Sequence, residues 1–305
     1  MKTLLEAIRP TTFIESAKLR DHLGINVTIA TETFQHTGSF KFRAAYNVAL
    51  NVEQDEILTA SSGNFGQAMA YACELTGKKA TVIMPKTSAQ VKIDAVRRYG
   101  AAVDLIDTAW IGRNERAAQL RAEMPQAYYA SPYDDQFVID GNSTLADEIV
   151  EKDDFDAVIS PVGGGGLISG ITLGYQRNAK TIQIFGAEPL EGNDAARSLA
   201  AGRLIANEKE PMTIADGART ISLGNLNWPI IREYVIGIFE VPDDKIAEAT
   251  RLYFELANLK CEPTGALPLA ALIMNADAFR EKKVCLVVSG GNVDAAVYAG
   301  IIQGD

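Results

Sequence analysis

The first residue of this chain that could do chemistry is a lysine in an early turn. Lys41 follows the short, glycine-containing turn at residues 37–39 and precedes a helix-like run at residues 41–50. A lysine at such a corner of the backbone can be held with its amine directed into a cleft. Most lysines are solvated surface charges, so the turn alone is weak evidence for catalysis. The case for Lys41 depends on the turns further along the chain.

The strongest of these turns contains four consecutive glycines, residues 163–166. They follow a strand-like run at residues 157–160 and precede a helix-like run at residues 167–175. Glycines let the backbone approach a ligand closely, and the amides at a helix start attract anions. The run matches neither the P-loop nor the usual dinucleotide pattern. A tight turn would not need four glycines, so we predict a loop that binds a single phosphate.

Two other turns place polar groups where a ligand could meet them. The segment at residues 61–68 starts a helix, where backbone amides could hold a carboxylate and Asn64 could donate to a ring hydroxyl. Ser289 follows a strand-like run at residues 284–288 and would point its hydroxyl into the same crevice. Taken singly, the first segment is equally well a capped helix start and the second an ordinary glycine turn.

A further turn is acidic. Glu188, Glu191 and Asp194 follow a strand-like run within nine residues, 186–194. Carboxylate oxygens are the ligands that divalent cations such as Mg²⁺ or Ca²⁺ prefer. A solvated acidic loop explains the same residues equally well. Taken together, a lysine, a phosphate loop and a hydroxyl at a strand end suggest that Lys41 forms a Schiff base with pyridoxal phosphate.

The elements that must position these turns alternate between strand and helix, which predicts parallel strands with right-handed crossovers. In such folds ligands bind at the carboxyl ends of the strands, where these turns lie. The strand-like runs are residues 56–61, 80–84, 102–106, 127–130, 157–160, 182–187, 235–241 and 284–288. The helix-like runs between them include residues 65–75, 88–99, 113–123, 142–151 and 167–175. Residues 202–216 are polar and predict an irregular loop.

Composition narrows the functional class. The 305 residues carry 29 Lys+Arg and 39 Asp+Glu, a net charge of −10, which is unfavourable for binding nucleic acid. No apolar run is long enough to span a membrane, and the amino end lacks a basic-then-apolar signal. Three cysteines without metal-like spacing fit a cytoplasmic protein in which each is a core residue. With only two histidines, most histidine-based dyads and zinc sites are excluded.

The motifs, taken in order, resemble those of the fold-type II pyridoxal phosphate enzymes. Within that group the chain looks most like the serine/threonine dehydratase and serine racemase family. The matching segments are residues 37–41, 61–64, 163–166, 186–189, 215–217, 227–230 and 289–292. The resemblance implies an α/β fold like that of the tryptophan synthase β chain, with two domains of open, twisted, mostly parallel sheets flanked by helices. A large cofactor domain would comprise residues 1–50 and 135–305, and a small, mobile substrate domain residues 51–134.

The resemblance also implies a role for individual residues. Lys41 would be the Schiff-base lysine and the base at the substrate α-carbon. Ser62 would be the acid/base on the opposite face, as in the racemases. Phe40 would pack on the cofactor ring, Asn64 would contact the ring hydroxyl, and Ser289 would face the ring nitrogen. The cofactor phosphate would be bound by Gly163, Gly164, Gly165 and Gly166. The substrate carboxylate would be received by Ser61, Ser62 and Gly63, and a Mg²⁺ or Ca²⁺ ion by Glu188, the Gly192 carbonyl and Asp194.

These roles predict a cytoplasmic, dimeric lyase acting on a small amino acid, with no nucleic acid or membrane partner. The expected reaction removes water and ammonia from L-threonine, L-serine or a close β-hydroxy amino acid. A neutral serine at the ring nitrogen favours loss of a β leaving group over a full carbanion. A serine or aspartate-type racemase and a threo-3-hydroxyaspartate ammonia-lyase are alternatives; a β-replacement synthase and a non-catalytic binder are less favoured. Phe65, where the family usually has histidine, and Tyr133, near the substrate in the family, depart from the pattern.

Overall fold

Two sheets organise the chain. The computed structural model describes residues 2–61, 63–88 and 90–304. The strands, in chain order, are β1 (Thr12–Ile14), β2 (Asn26–Thr31), β3 (Glu56–Ala60), β4 (Lys79–Pro85), β5 (Ala102–Ile106), β6 (Tyr128–Tyr129), β7 (Ala157–Pro161), β8 (Gln183–Pro189), β9 (Gly237–Val241) and β10 (Lys283–Val288).

Helices connect and cover these strands. In chain order they are α1 (Leu4–Ala7), α2 (Ala17–Leu23), α3 (Lys41–Asn51), α4 (Asn64–Thr76), α5 (Gln90–Arg98), α6 (Arg113–Glu123), α7 (Gln136–Lys152), α8 (Gly166–Arg177), α9 (Asp194–Ala201), α10 (Asn227–Tyr234), α11 (Asp243–Ala257), α12 (Pro263–Met274) and α13 (Ala295–Gln303). Short 3₁₀ turns lie at residues 36–38, 190–192, 216–218 and 276–278.

The larger sheet has the strand order β1-β2-β10-β7-β8-β9, and the smaller has the order β5-β4-β3-β6. All pairings are parallel except that of β1 with β2. Parallel strands need crossover helices, and these helices cover both faces of the sheet. The inner strands are therefore continuous buried segments and do not alternate between buried and exposed residues. Strand β10 shows this, since residues 284–288 are all buried. The predicted α/β class with mostly parallel sheets is confirmed.

The smaller sheet is built from residues 56–129, which lie inside the predicted small domain of residues 51–134. The larger sheet is built from strands that precede and follow that segment. The division into a mobile substrate domain and a cofactor domain stays a prediction.

Several elements differ in extent from the sequence prediction. Helix α7 begins at Gln136 rather than at residue 142, because the Asp135 carboxylate accepts hydrogen bonds from the amides of Phe137 and Val138 and caps it. Strand β6 has two residues rather than four. The predicted loop is confirmed, since residues 203–215 contain no helix or strand.

A buried ion pair ties the lysine-bearing helix to its neighbours. Arg43 on α3 is completely buried and donates to both carboxylate oxygens of Glu32, to both oxygens of Glu148 on α7, and to the hydroxyls of Thr11 and Thr144. Removing one partner of such a cluster leaves a buried charge unpaired, at a cost of about 3–5 kcal/mol. The cluster therefore fixes where α3 begins, and with it the position of Lys41.

Two further findings concern the sequence predictions. Cys73, Cys261 and Cys285 are unpaired and buried, as expected for core residues. In the described ranges no helix combines the length and the apolar character needed to cross a membrane.

Candidate active site

The turn that precedes Lys41 is hydrogen-bonded to the residue that follows strand β10. Thr37 and Gly38 both have positive φ, 59° and 75°, and a Cβ on Gly38 would lie 2.4 Å from Oδ1 of Asn292. The amide of Phe40 donates to the carbonyl of Ser289 at 2.9 Å, directly after β10. Lys41 then starts α3. Glycine is favoured at position 38 because a side chain there would be strained by the positive φ and would displace Asn292.

The amine of Lys41 lies between two aromatic rings. Its Nζ is 4.9 Å from the ring centre of Phe40 and 5.6 Å from that of Phe65, and it donates to the carbonyl of Pro132 at 2.6 Å. Desolvation lowers the pKa of Lys41 to about 8, against the opposing effect of the Glu262 carboxylate. An amine with this pKa is partly neutral near neutral pH, as a nucleophile or a base must be.

The glycine run forms the start of α8, opposite the lysine. Gly165 has φ 92° and precedes the helix, and no side chain caps the amides there. A Cβ on Gly164 would lie 2.2 Å from the ring of Tyr133, and one on Gly165 would lie 2.8 Å from Ile231. Uncapped amides at a helix start with no side chains in front of them are suited to a phosphate. The residues present thus fit the predicted phosphate loop.

Ser289, which is predicted to face a ring nitrogen, lines the same cavity as Lys41. It directly follows β10, is 2% exposed, and its Oγ has no hydrogen-bond partner among the described residues. Several buried hydroxyls lack a partner among the described residues; that of Ser289 lines the cavity that contains Lys41, so a ligand bound there can satisfy it. The orphaned Oγ is the second observation, beside the open glycine loop, that fits pyridoxal phosphate.

Asn64 takes part in a network that the sequence does not reveal. Its Nδ2 lies 3.1 Å from each carboxylate oxygen of Glu262, and its Oδ1 accepts from Nδ2 of Asn292 at 2.8 Å. Glu262 is 3% exposed, and burial raises its pKa to about 7. Sequence reasoning missed Glu262, because an acid before Pro263 at the start of α12 is typical of an ordinary helix start.

The predicted carboxylate-binding residues are placed only in part. Gly63 precedes α4 with no side-chain cap, and its amide donates to Oγ of Ser61 at 3.4 Å. Ser61 and Gly63 face the same cavity as Lys41. Ser62 lies outside the described residues, so its predicted contact with the carboxylate and its acid/base role stay predictions.

One cavity of about 720 Å³ contains these groups. Among the predicted site residues, its walls include Phe40, Lys41, Ser61, Gly63, Asn64, the four glycines 163–166 and Ser289. Ion pairs cross its mouth: Lys92 lies 3.2 Å from Asp216, and Arg113 lies 2.7 Å from Glu210. Neither cation was identified from the sequence, because on helices α5 and α6 they are indistinguishable from solvated charges.

The predicted cation ligands lie outside the cavity walls. Glu188 and Asp194 are both 1% exposed, and burial raises the pKa of Glu188 to about 9 and that of Asp194 to about 7. Glu188 accepts from the amides of Ala195 and Ala196, and Oδ2 of Asp194 has no partner among the described residues.

Of the three acids in this turn, the two predicted cation ligands, Glu188 and Asp194, are buried and the third is not. Glu191 is exposed, and the described part of the chain holds no group of three acidic, histidine or cysteine side chains. A 3₁₀ turn at residues 190–192 carries Glu191 outward. Two buried carboxylates remain, and the orphaned oxygen of Asp194 is compatible with a cation.

Comparison with known proteins gives consistent results. Residues 4–290 match the family described as "Pyridoxal-phosphate dependent enzyme". The chain is 37% identical over 292 residues to the β-hydroxyaspartate dehydratase of Paracoccus denitrificans, covering 94% of this chain and 92% of the relative. It is 35% identical over 299 residues to the serine racemase of Arabidopsis thaliana, covering 94% and 89%. The crystal structure of the T.th. threonine deaminase superposes with a TM-score of 0.89 at 37% identity, covering 95% of each chain.

Proposed function

Because the chain belongs to the pyridoxal-phosphate dependent enzyme family, we propose that it is an ammonia-lyase. It would eliminate water from a β-hydroxy amino acid, and the released enamine would take up water and lose ammonia to give a 2-oxo acid. The resemblance to the dehydratase and serine racemase branch is confirmed by the relatives and by the fold. The observation that carries the proposal is the pairing, in one cavity, of a desolvated lysine amine with a neutral, unpartnered hydroxyl at the ring-nitrogen position.

The cofactor would be held by groups already described. The amides of residues 163–166 would bind the phosphate, Lys41 would hold the cofactor through its amine, and Phe40 would pack on the ring. Ser289 would meet the ring nitrogen and Asn64 the ring oxygen. When bound, pyridoxal phosphate supplies an electron sink for the charge left on the substrate α-carbon.

The chain's own residues then divide the remaining work. The neutral Nζ of Lys41 takes the α-proton, for which a pKa of about 8 is suitable near neutral pH. The amides and hydroxyls at Ser61, Ser62 and Gly63 receive the substrate carboxylate at the start of α4. Because Ser289 is uncharged, it does not keep the ring nitrogen protonated, and departure of the β-hydroxyl is favoured over prolonged carbanion life.

Among β-hydroxy amino acids we favour 3-hydroxyaspartate over serine and threonine. Lys92 and Arg113 both line the cavity, and each pairs with an exposed acid that also lines it. Solvent-exposed pairs of this kind contribute about 0–1 kcal/mol, so a substrate's second carboxylate can displace the acid. The β-hydroxyaspartate dehydratase similarity supports the same choice.

The test is a substrate panel. The purified protein with pyridoxal phosphate is incubated separately with threo-3-hydroxyaspartate, L-serine, L-threonine and D-serine, and 2-oxo acid and ammonia are measured. We expect the fastest 2-oxo acid formation from 3-hydroxyaspartate. Absence of 2-oxo acid from every substrate would refute the lyase proposal, and faster turnover of serine or threonine would refute the substrate choice.

Racemisation is the second candidate, favoured by the 35% identity to a serine racemase. The same incubations, with one of L-aspartate added, are analysed on a chiral column. Stereoinversion of serine or aspartate without 2-oxo acid would establish this alternative in place of the lyase.

The same proposal includes a divalent cation held by Glu188, the Gly192 carbonyl and Asp194. It is supported by two buried carboxylates, one with an orphaned oxygen, since a cation would neutralise charges that are costly to bury. The homodimer that the family resemblance implies and the cytoplasmic location also stay predictions, the former to be measured by light scattering.

A further inference from the structure

Glu262 is a buried acid whose side chain does not serve its own helix. It directly precedes α12, yet its carboxylate makes no hydrogen bond to the helix amides. It turns into the cavity, where both oxygens lie at 3.1 Å from Nδ2 of Asn64. Its backbone is fixed on both sides, because its amide donates to Gly290 at 3.0 Å and its carbonyl accepts from Gly265 at 2.8 Å. A carboxylate is kept here although it costs energy to bury.

The contact with Glu262 determines which way the Asn64 amide faces. An ionised carboxylate only accepts, so Asn64 presents its NH₂ to Glu262 in that form. On the oxygen side of the Asn64 amide, Asn292 donates two hydrogen bonds from its Nδ2. One goes to the carbonyl of Thr37 at 2.7 Å and the other to Oδ1 of Asn64 at 2.8 Å. One N–H of Asn64 placed between the two equidistant oxygens leaves its second N–H for a ligand. Both neighbours therefore enforce a single amide orientation.

Glu262 also contributes charge to the cavity. Glu262 lines the same cavity as Lys41, and its negative charge opposes the lowering of the Lys41 pKa by desolvation. The other groups that act on Glu262 are Asp216, Lys92 and the backbone amide of Asn292. Asp216 and Lys92 pair with each other at the cavity mouth, so Glu262 is the acid that acts on Lys41 from within the site.

We propose that Glu262 is a positioning residue for the cofactor: it orients the Asn64 amide so that one N–H reaches the ring oxygen, and in its ionised form it adds a negative charge to the cavity that contains the Lys41 amine. This inference rests on the proposed function, in which Asn64 meets the ring oxygen and Lys41 holds the cofactor.

The first test uses Glu262→Gln, which keeps the shape but replaces one acceptor by an NH₂ that faces the NH₂ of Asn64. The holoenzyme's cofactor absorbance and the apparent Kd for re-added pyridoxal phosphate are measured. We expect the apparent Kd to rise about 10-fold, which corresponds to the loss of roughly one hydrogen bond to a charged group. The pH midpoint of the absorbance change should move to lower pH, because the charge that favours protonated Lys41 is gone. The control is Glu255→Gln, which removes an exposed carboxylate on α11 outside the cavity walls and should change neither quantity.

The second test asks whether Glu262 acts through Asn64. Glu262→Gln, Asn64→Ala and the double variant form a cycle in which apparent Kd is measured. We expect the double variant to bind pyridoxal phosphate no more weakly than Asn64→Ala alone, because the group that Glu262 orients is absent. Additive losses, or an apparent Kd in Glu262→Gln within about twofold of the wild type, would overturn the proposal. Thermal midpoints of all variants identify any that are merely unfolded.

The two proposals fail in different ways. If the wild type does not bind pyridoxal phosphate or forms no 2-oxo acid from any substrate, the proposed function is wrong. If the wild type does both and the cycle is additive, only the role of Glu262 is wrong.

Discussion

The ring of Tyr133 packs directly on the backbone of Gly164: a Cβ added at Gly164 would stand 2.2 Å from the ring's Cγ and Cδ2. The same tyrosine follows Pro132, whose carbonyl accepts from the Lys41 amine. One short segment thus contacts both the phosphate loop and the lysine, so the width of the cofactor site depends on this packing.

Gly164→Ala should weaken cofactor binding at least about 10-fold, because the added methyl must displace either the ring or the loop that binds the phosphate. The apparent Kd for pyridoxal phosphate measures this. Combining Gly164→Ala with Tyr133→Ala should restore part of the affinity by removing the clash. Gly300→Ala, where a Cβ meets nothing within 4 Å, is the matched control. Normal affinity in Gly164→Ala would show that the loop is not tightly packed.

The rate of α-proton removal should depend on pH through Lys41. Its pKa is lowered to about 8, so the amine is charged below that pH and neutral above it. As a base it must be neutral, and kcat should therefore rise with pH to a plateau with a midpoint near 8. The measurement is kcat for 3-hydroxyaspartate from pH 6 to 10. Lys41→Ala should abolish turnover; a flat profile would indicate a different rate-limiting step.

Arg113→Gln should reduce kcat/KM for 3-hydroxyaspartate about 10-fold or more and change kcat/KM for L-serine little. The reason is that serine lacks the second carboxylate that Arg113 would bind in place of Glu210. Arg121→Gln, on the same helix α6 but outside the cavity walls, is the control and should behave as the wild type. Equal losses for both substrates would argue against a specificity role.

Ser62→Ala should separate the two candidate reactions. If Ser62 is the acid/base on the face opposite Lys41, the variant loses racemisation and elimination from D-serine but keeps elimination from the L-enantiomer. Chiral chromatography and 2-oxo acid assays on both enantiomers measure this. Retained racemisation in Ser62→Ala would rule out the two-base scheme.

Mg²⁺ or Ca²⁺ should raise the thermal midpoint of unfolding if Glu188 and Asp194 bind a cation. A ligand present at 100 times its Kd stabilises the folded state by about 2.7 kcal/mol. The comparison is between chelator-treated protein and protein with added cation. Asp194→Asn should remove the shift, because the orphaned oxygen that would complete the site is lost. An unchanged midpoint in the wild type would exclude a cation at this position.

The sequence by itself determined the class of fold and singled out residues that the structure gathers in one cavity. The four glycines between β7 and α8, Lys41 after a glycine turn and Ser289 after β10 are local signals, since each depends on backbone geometry within a few residues. The strand–helix alternation is local in the same sense. Helix α12 was not predicted from the sequence. It is apolar on every face and contains Pro268, so its residues show no alternation of apolar and polar positions with the period of a helix.

Only the tertiary structure decided the contacts that tune the site. Glu262 and Asn64 are 198 residues apart in the chain, and Lys41 and Pro132 are 91 apart, so no local pattern predicts their hydrogen bonds. Burial likewise separates Glu188 and Asp194 from the exposed Glu191, although all three read alike in the sequence. Desolvation and long-range pairing arise only when the chain is folded, and they turn Lys41 from one lysine in a suitable turn into an amine with a pKa of about 8.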